Sequence, residues 1–348
     1  MSTQLAPEKT SPPIQATERR HRYVRWSVAA LLIASLLVTT IYTVFSSYIA
    51  TQLVQKAQLP FHTTPADFHL PFRDVSFTSR EDHLPLVGWF LPGIGPDGRL
   101  TAQHTIIMVH GYPGNRATES VGMLAIANGF VHHGFAVLTF DLRAAGKSAP
   151  APESMGYFEQ RDVLGAVDFL QSGPLPYSEL GRPQAIVGWG VSMGGATLLL
   201  AAAREPAIQA VVSDCGYGNL LAMLRMSLPI HSHVSPFLAL GIVEAGQAIY
   251  GFNLAAVRPV DVVKNLAPRP ALFIQVDNDH TVPPAQMELL AQAARSAPNA
   301  NVQTWMITGG VEHAQSFHKM GNTYINRIVD FYTAALGLKT NDVVSSRS

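Results

Sequence analysis

Eight short apolar runs, separated by stretches with helical periodicity, set the tightest limit on how this chain folds. They fall at residues 74–78, 86–91, 105–109, 136–140, 185–188, 210–213, 271–276 and 302–307. Several are continuous rather than alternating, the pattern of strands buried on both faces of a mostly parallel sheet. Helical patterns lie between them, at about residues 120–133, 153–171, 192–204, 284–297 and 314–336. This order predicts a doubly wound α/β domain that opens with antiparallel strands. One segment breaks the rhythm: residues 216–266 are too long for an ordinary crossover and carry FLALGIVEAGQAIYGF. Glu244 interrupts that run and prolines flank it, so the segment is expected to cap the C-terminal edge of the sheet rather than to cross a membrane.

The N-terminal region is of another kind. From Trp26 to Phe45 the chain reads WSVAALLIASLLVTTIYTVF without a charge, and about 20 such residues match the hydrocarbon thickness of a bilayer. No clear A-x-A site follows, so an uncleaved anchor is expected rather than a signal peptide. Arg19, Arg20, Arg22 and Arg25 precede the span. By the positive-inside rule the N-terminus is then cytoplasmic and the rest lies across the membrane, in a bacterium in the periplasm or outside the cell. The expected layout is a disordered cytoplasmic tail at 1–25, a transmembrane anchor at 26–45, a linker at 46–72, a folded domain at 73–337 with its cap at 216–266, and a disordered tail at 338–348. Basic and acidic residues number 24 each, giving a formal net charge of zero and no electrostatic pull toward nucleic acid. Cys215 is the only cysteine, which excludes an intrachain disulfide and a cysteine-based metal cluster.

The chemistry centres on GWGVSMGG. Gly190-Val191-Ser192-Met193-Gly194 fits G-x-S-x-G, with a strand, AIVGW, before it and an alanine-rich helix after it. Such a turn is sharp and needs small residues on either side of the serine; it exposes the hydroxyl as a nucleophile and turns the next backbone N–H, that of Met193, toward a developing oxyanion. A second oxyanion donor is expected after the third strand, in IIMVHGYPGNR, from the backbone N–H of Tyr112. His110 there is expected to brace the loop. A serine needs a base, and the base needs an orienting acid. In FIQVDNDHTVPP, Asp277 and Asp279 compete for the acid, and Asp279 is favoured because it lies deeper in the loop; Asp214 in VVSDCGYG is a third option. The candidate base is His313 in MITGGVEHAQSF, with His318, one helical turn on, expected at the surface. Gly146-Lys147-Ser148 lacks the earlier glycine of a phosphate-binding loop, which falls on Asp141. His231 and His233 have no evident third metal ligand, and EHAQSFH lacks the H-E-x-x-H spacing. No cofactor and no metal is expected.

VHGYPGN, FDLRAAGKS, GWGVSMGG, DNDHTVP and GGVEHAQSF, in that order, resemble the landmarks of the α/β-hydrolase superfamily of serine hydrolases. The similarity runs from about residue 74 to 336 and is greatest to bacterial membrane-anchored members of the serine aminopeptidase-like and dienelactone hydrolase-like branches. The resemblance implies a mostly parallel eight-stranded sheet with helices on both faces and a helical cap. It also implies Ser192 as nucleophile, Asp279 as acid, His313 as base, and Tyr112 and Met193 as oxyanion donors. Two positions depart from the family's pattern: Ala144 stands where relatives have glycine after Arg143, and Gln275-Val276 stands where they have His-Gly. The expected activity is cleavage of an ester or related acyl bond through an acyl-enzyme. A peptidase or amidase of the same fold and a non-catalytic binding protein are the alternatives. The expected partners are a small-molecule acyl substrate, hydrophobic by the apolar residues of the cap, and the bilayer.

Overall fold

A computed structural model describes residues 14–55, 58–232 and 235–338. Residues 1–13 and 339–348, assigned to disordered tails from sequence, lie outside the described residues, as do His233 and the side chain of His231. The first element is one helix, α1 (Ile14–Val54). It outruns the expected anchor at both ends. The tail expected through residue 25 is already helical from Ile14, and the linker expected from residue 46 begins only after Val54. Neither flank contains a glycine or proline to stop the helix. Ser46, Ala50 and Val54, spaced four apart on one face, are buried, so tertiary packing holds the C-terminal turns in helix. Glu18–Val54 is long and apolar enough to cross a membrane, and the window that qualifies it has no buried share.

The folded domain is built on an eight-stranded sheet. Its strands are β1 (Arg73–Thr78), β2 (Pro85–Leu91), β5 (His104–Val109), β6 (Ala136–Phe140), β7 (Ala185–Val191), β8 (Ile208–Asp214), β9 (Ala271–Val276) and β10 (Val302–Ile307). The order is β1-β2-β6-β5-β7-β8-β9-β10. β1–β2 and β2–β6 pair antiparallel and the remaining neighbours pair parallel. A two-residue hairpin, β3 (Gly93–Ile94) with β4 (Leu100–Thr101), stands apart. Every residue of β6, β7 and β9 is buried, which accounts for their unbroken apolar runs. Along β5 the side chains part by the strand's period of two. Ile106 and Met108 join a core with α2 (Met123–His132) and α10 (Asn322–Leu336). Ile107 and Val109 join the opposite core, with α3 (Glu159–Ser172), α4 (Met193–Ala202) and α8 (Ala285–Arg295).

Two helices differ from the sequence expectation. The segment 153–171 is helical only from Glu159, after a loop fixed by the buried Glu159 carboxylate, which accepts from Ser154 N, Ser154 Oγ and Gly156 N. The run 314–336 is divided into α9 (Ser316–Met320) and α10 by Gly321, at φ 52°. Between β8 and β9 the chain forms α5 (Leu220–Ser232), α6 (Leu238–Tyr250) and a short turn of helix, α7 (Pro259–Val262). α6 packs on both α1 and α5.

Candidate active site

The turn from β7 into α4 is where the sheet delivers a side chain most sharply. Ser192 alone separates Val191, the last residue of β7, from Met193, the first of α4. Its φ of 55° with ψ −122° lies outside the comfortable regions for an L-residue, a strain on the order of 1–3 kcal/mol that surrounding structure must hold. The flanking glycines are sterically required. A Cβ on Gly190 would lie 2.5 Å from Gly194 O, and one on Gly194 would collide with Val109 O and His110 O. The serine N–H donates to Asp214 O at 2.8 Å, fixing the elbow to the next strand.

Two loops converge on that hydroxyl. His313, between β10 and α9, brings Nε2 to 2.8 Å from Ser192 Oγ. Its Nδ1 lies 2.6 Å from Asp279 Oδ2, in the loop after β9. The other Asp279 oxygen accepts from Thr281 N at 2.9 Å and Val282 N at 2.7 Å. An ionised carboxylate only accepts, so Nδ1 carries the imidazole proton and Nε2 offers its lone pair to the serine O–H. The structure thus brings together all three residues singled out for this chemistry. Asp279 is the one of the three carboxylates bonded to the imidazole.

The other two carboxylates are used differently. Asp277 accepts from Gly309 N (2.8 Å), Gly310 N (3.2 Å) and Val311 N (3.0 Å). Those amides hold its pKa below the usual carboxylate value, and they pin the loop that carries His313. Asp214 is buried and accepts from Tyr324 Oη (2.7 Å), Ser316 Oγ (2.8 Å) and the Cys215 thiol (3.2 Å). Burial pushes its pKa up while these donors counter it. Cys215 is buried beside them, and burial raises its thiol well above the ordinary value. Its sulfur, Asp279 and His313 present ligand atoms within 4.8 Å of one another. A thiol held protonated is a poor metal ligand, and both imidazole nitrogens already have partners.

Met193 opens α4, so its N–H belongs to the first-turn amides that a helix leaves without an internal partner. Tyr112 follows Gly111, where an added Cβ would lie 3.1 Å from Ser192 Cβ; the β5 loop therefore runs directly beside the serine. His110 is fully buried. Leu142 N donates to its Nε2 at 3.0 Å, so the proton is on Nδ1, which donates to Gly111 O at 2.8 Å. Burial depresses its pKa. Both ring nitrogens are spent on holding the loop. His318 is exposed, with Nε2 3.1 Å from Ser120 O.

The family model for the alpha/beta hydrolase fold matches residues 104–248. Among solved structures, an esterase of Pyrococcus furiosus superposes with a TM-score of 0.65 at 21% identity, covering 81% of this chain and 98% of that one. A puromycin-hydrolyzing peptidase of Mycobacterium tuberculosis does so with a TM-score of 0.61 at 21% identity, over 78% of this chain and 40% of that one. The chain is an α/β-hydrolase-fold protein. In sequence it is similar to the quorum-quenching protein AidA of Acinetobacter baumannii, 32% identical over 124 residues. That match spans 34% of this chain and 38% of AidA, well under half of either.

Within the α/β-hydrolase fold, the two departures from the family pattern have structural consequences. Ala144 sits at φ 61°, a left-handed position that glycine occupies more easily, at a cost to alanine of about 1–2 kcal/mol. Its neighbour Arg143 is clamped to Asp162 and Asp82, at 2.6 Å and 2.8 Å, which holds the strained turn. Gln275 is buried. It donates from Nε2 to Val282 O at 3.0 Å and accepts from Val276 N at 2.9 Å, tying the end of β9 to the loop of Asp279.

Sequence reasoning missed how the end of α1 is joined to the site. The Tyr112 hydroxyl donates to Gln52 O at 3.3 Å, Glu153 N to Val54 O at 3.1 Å, and Asn115 Nδ2 to Leu59 O at 3.1 Å. These bonds end on backbone carbonyls, which no residue pattern marks. Asp277 was visible in the sequence, but its service to three amides of a distant glycine turn was not.

Proposed function

We propose that this protein is a membrane-anchored serine hydrolase that cleaves an ester or thioester through an acyl-enzyme. The observation that carries the reading is the unbroken chain of bonds from Ser192 Oγ through His313 to Asp279. His313 Nε2 takes the hydroxyl proton as Ser192 Oγ attacks the acyl carbon. The backbone N–H groups of Met193 and Tyr112 stabilise the oxyanion, and Asp279 stabilises the imidazolium without taking its proton. His313 then returns the proton to the departing alcohol or thiol. Water, activated by the same imidazole, releases the acid from Ser192. The arginines ahead of the apolar span support a cytoplasmic N-terminus, with the folded domain on the far side of the membrane. The P. furiosus esterase supports the choice of an ester by likeness of fold alone.

A second reading is hydrolysis of an amide next to a free amine. It rests on likeness of fold to the puromycin-hydrolyzing peptidase of Mycobacterium tuberculosis. A panel of p-nitrophenyl acyl esters and aminoacyl amides decides between them. Turnover of the esters with inertness toward the amides is the expected result; the reverse transfers the assignment to the peptidase reading.

A further inference from the structure

α1 and α6 pack extensively on each other, and the close approach at Gly241 relates the depth of the cap to α1. A Cβ on Gly241 would lie 2.5 Å from Ser46 Oγ and 2.6 Å from the Tyr42 hydroxyl oxygen. The Tyr42 hydroxyl donates to Phe237 O at 3.2 Å, and the two rings are 5.0 Å apart between centroids. The N-terminal end of α6 is therefore level with Tyr42 of α1, and the helix leads from there toward Ser46.

Depth along α1 follows from helix geometry. Taking Trp26, just after Arg25, as one edge of the apolar slab, a rise of about 1.5 Å per residue puts Tyr42 about 24 Å in and Ser46 near 30 Å. A bilayer's hydrocarbon is about 30 Å thick. Phe237 and its flank would then stand some 6 Å inside the far edge of the hydrocarbon, at the depth where surface-seated apolar faces bury. Tyr23 and Trp26 near one edge, with Tyr42 and Tyr48 near the other, make the aromatic belts expected of such a placement.

The end of the cap nearest Tyr42 carries a group of exposed apolar side chains, with the exposed Arg225 next to Met226 on α5. Met226, Ile230, Phe237 and Leu240 are exposed, with Phe237 68% exposed. One turn further along α6 from Leu240, the first exposed charged side chain is Glu244, followed by Gln247 and, in the last turn, Ile249. At 13 residues, α6 is too short to span, and the chain then bends by 114° into residues 254–266.

We propose that the apolar end of the α5–α6 cap is seated in the same lipid leaflet as the far end of α1, forming a second contact with the bilayer. The patch adjoins α1 through the Tyr42–Phe237 contact, and the first exposed charge along α6 is Glu244. This rests on the reading of α1 as a membrane anchor. Tyr112, beside the glycine that touches Ser192, reaches α1 at Gln52, about 15 Å further out along the helix than Tyr42. The serine site is thereby held close to the lipid headgroups.

Spin labels on the full-length chain in phosphatidylcholine vesicles test this. Phe237→Cys and Leu240→Cys report the cap, Leu37→Cys the anchor, and Leu100→Cys the exposed β3–β4 hairpin. Native Cys215 is buried, and the unsubstituted chain gives its background. The expected result is that oxygen collides with the labels at 37, 237 and 240 more often than a water-soluble nickel chelate does, with the opposite order at 100. Lipid-like collisions at 37 with water-like collisions at 237 and 240 overturn the proposal and leave the anchor standing. Immobilised, nickel-shielded labels at 237 and 240 that also exclude oxygen would mean a protein partner and overturn it as well. Water-like collisions at 37 remove the anchor reading and the proposal with it.

Discussion

The corner around Ser192 and the quarter where the cap meets α1 are held by different forces. At the first, nearly every polar atom has an assigned partner: His313 between Ser192 and Asp279, Asp277 under three amides, Asp214 under three donors. At the second, apolar side chains and a close glycine contact carry the packing, with the Tyr42 hydroxyl donating to Phe237 O. Bonds of the first kind fix positions to fractions of an ångström, as proton transfer and attack on carbon demand. Packing of the second kind resists cavities and overfilling but leaves direction free. The contrast teaches that damage to the two regions should separate rate from stability.

Apart from Ser192 and His313 themselves, the largest expected effect lies at the polar corner. Asp277→Ala removes the acceptor for three loop amides without touching the imidazole, and should lower kcat about 10–100-fold with little change in KM. Asp277→Asn, which keeps one acceptor oxygen, should restore part of the loss. Steady-state kinetics on a soluble acyl ester reads both, and a matching fall in melting temperature alone would assign Asp277 a purely structural role. Gly241→Leu tests the other region. It drives a side chain into Tyr42 and Ser46, and should cost about 1–3 kcal/mol of stability while the Ser192 phosphonylation rate stays within about twofold. A large loss of rate would break the separation.

The smallest effect is a pH slope. Burial lowers the His110 pKa below its ordinary 6.5, so the unfolded chain binds this proton more readily than the folded one. The contribution of His110 to stability is therefore full above pH 6.5 and declines below it, by at most about 1.4 kcal/mol per pH unit. Thermal melting of the wild type and His110→Asn from pH 7.5 to 5 should show the wild type losing stability faster on the acid side.

The same contrast explains what could be read from the sequence. The elbow was legible because sterics admit only small residues at 190 and 194, and because Ser192, Asp279 and His313 follow one another at strand ends. The eight strands were legible because burial on both faces leaves unbroken apolar runs. The C-terminal end of α1 was not legible because its burial is tertiary, with Ser46 meeting Gly241 some 190 residues away and Val54 bonded to Glu153, and SSYIATQLV alone shows no apolar stripe strong enough to announce it. Gly321 gave no warning that it would divide the last helix, since a glycine in a helical pattern is commonly tolerated. Ala144 was flagged as a departure from a family pattern, but its left-handed backbone is a property of the folded turn.

The most direct test of the account is fluorophosphonate labelling of the full-length protein, followed by peptide mapping. One phosphonyl adduct is expected, on the peptide that contains Ser192. The adduct should be absent from Ser192→Ala and form at least about a hundredfold more slowly in His313→Ala. Equal labelling of Ser192→Ala, or no labelling of the folded wild type, would contradict it.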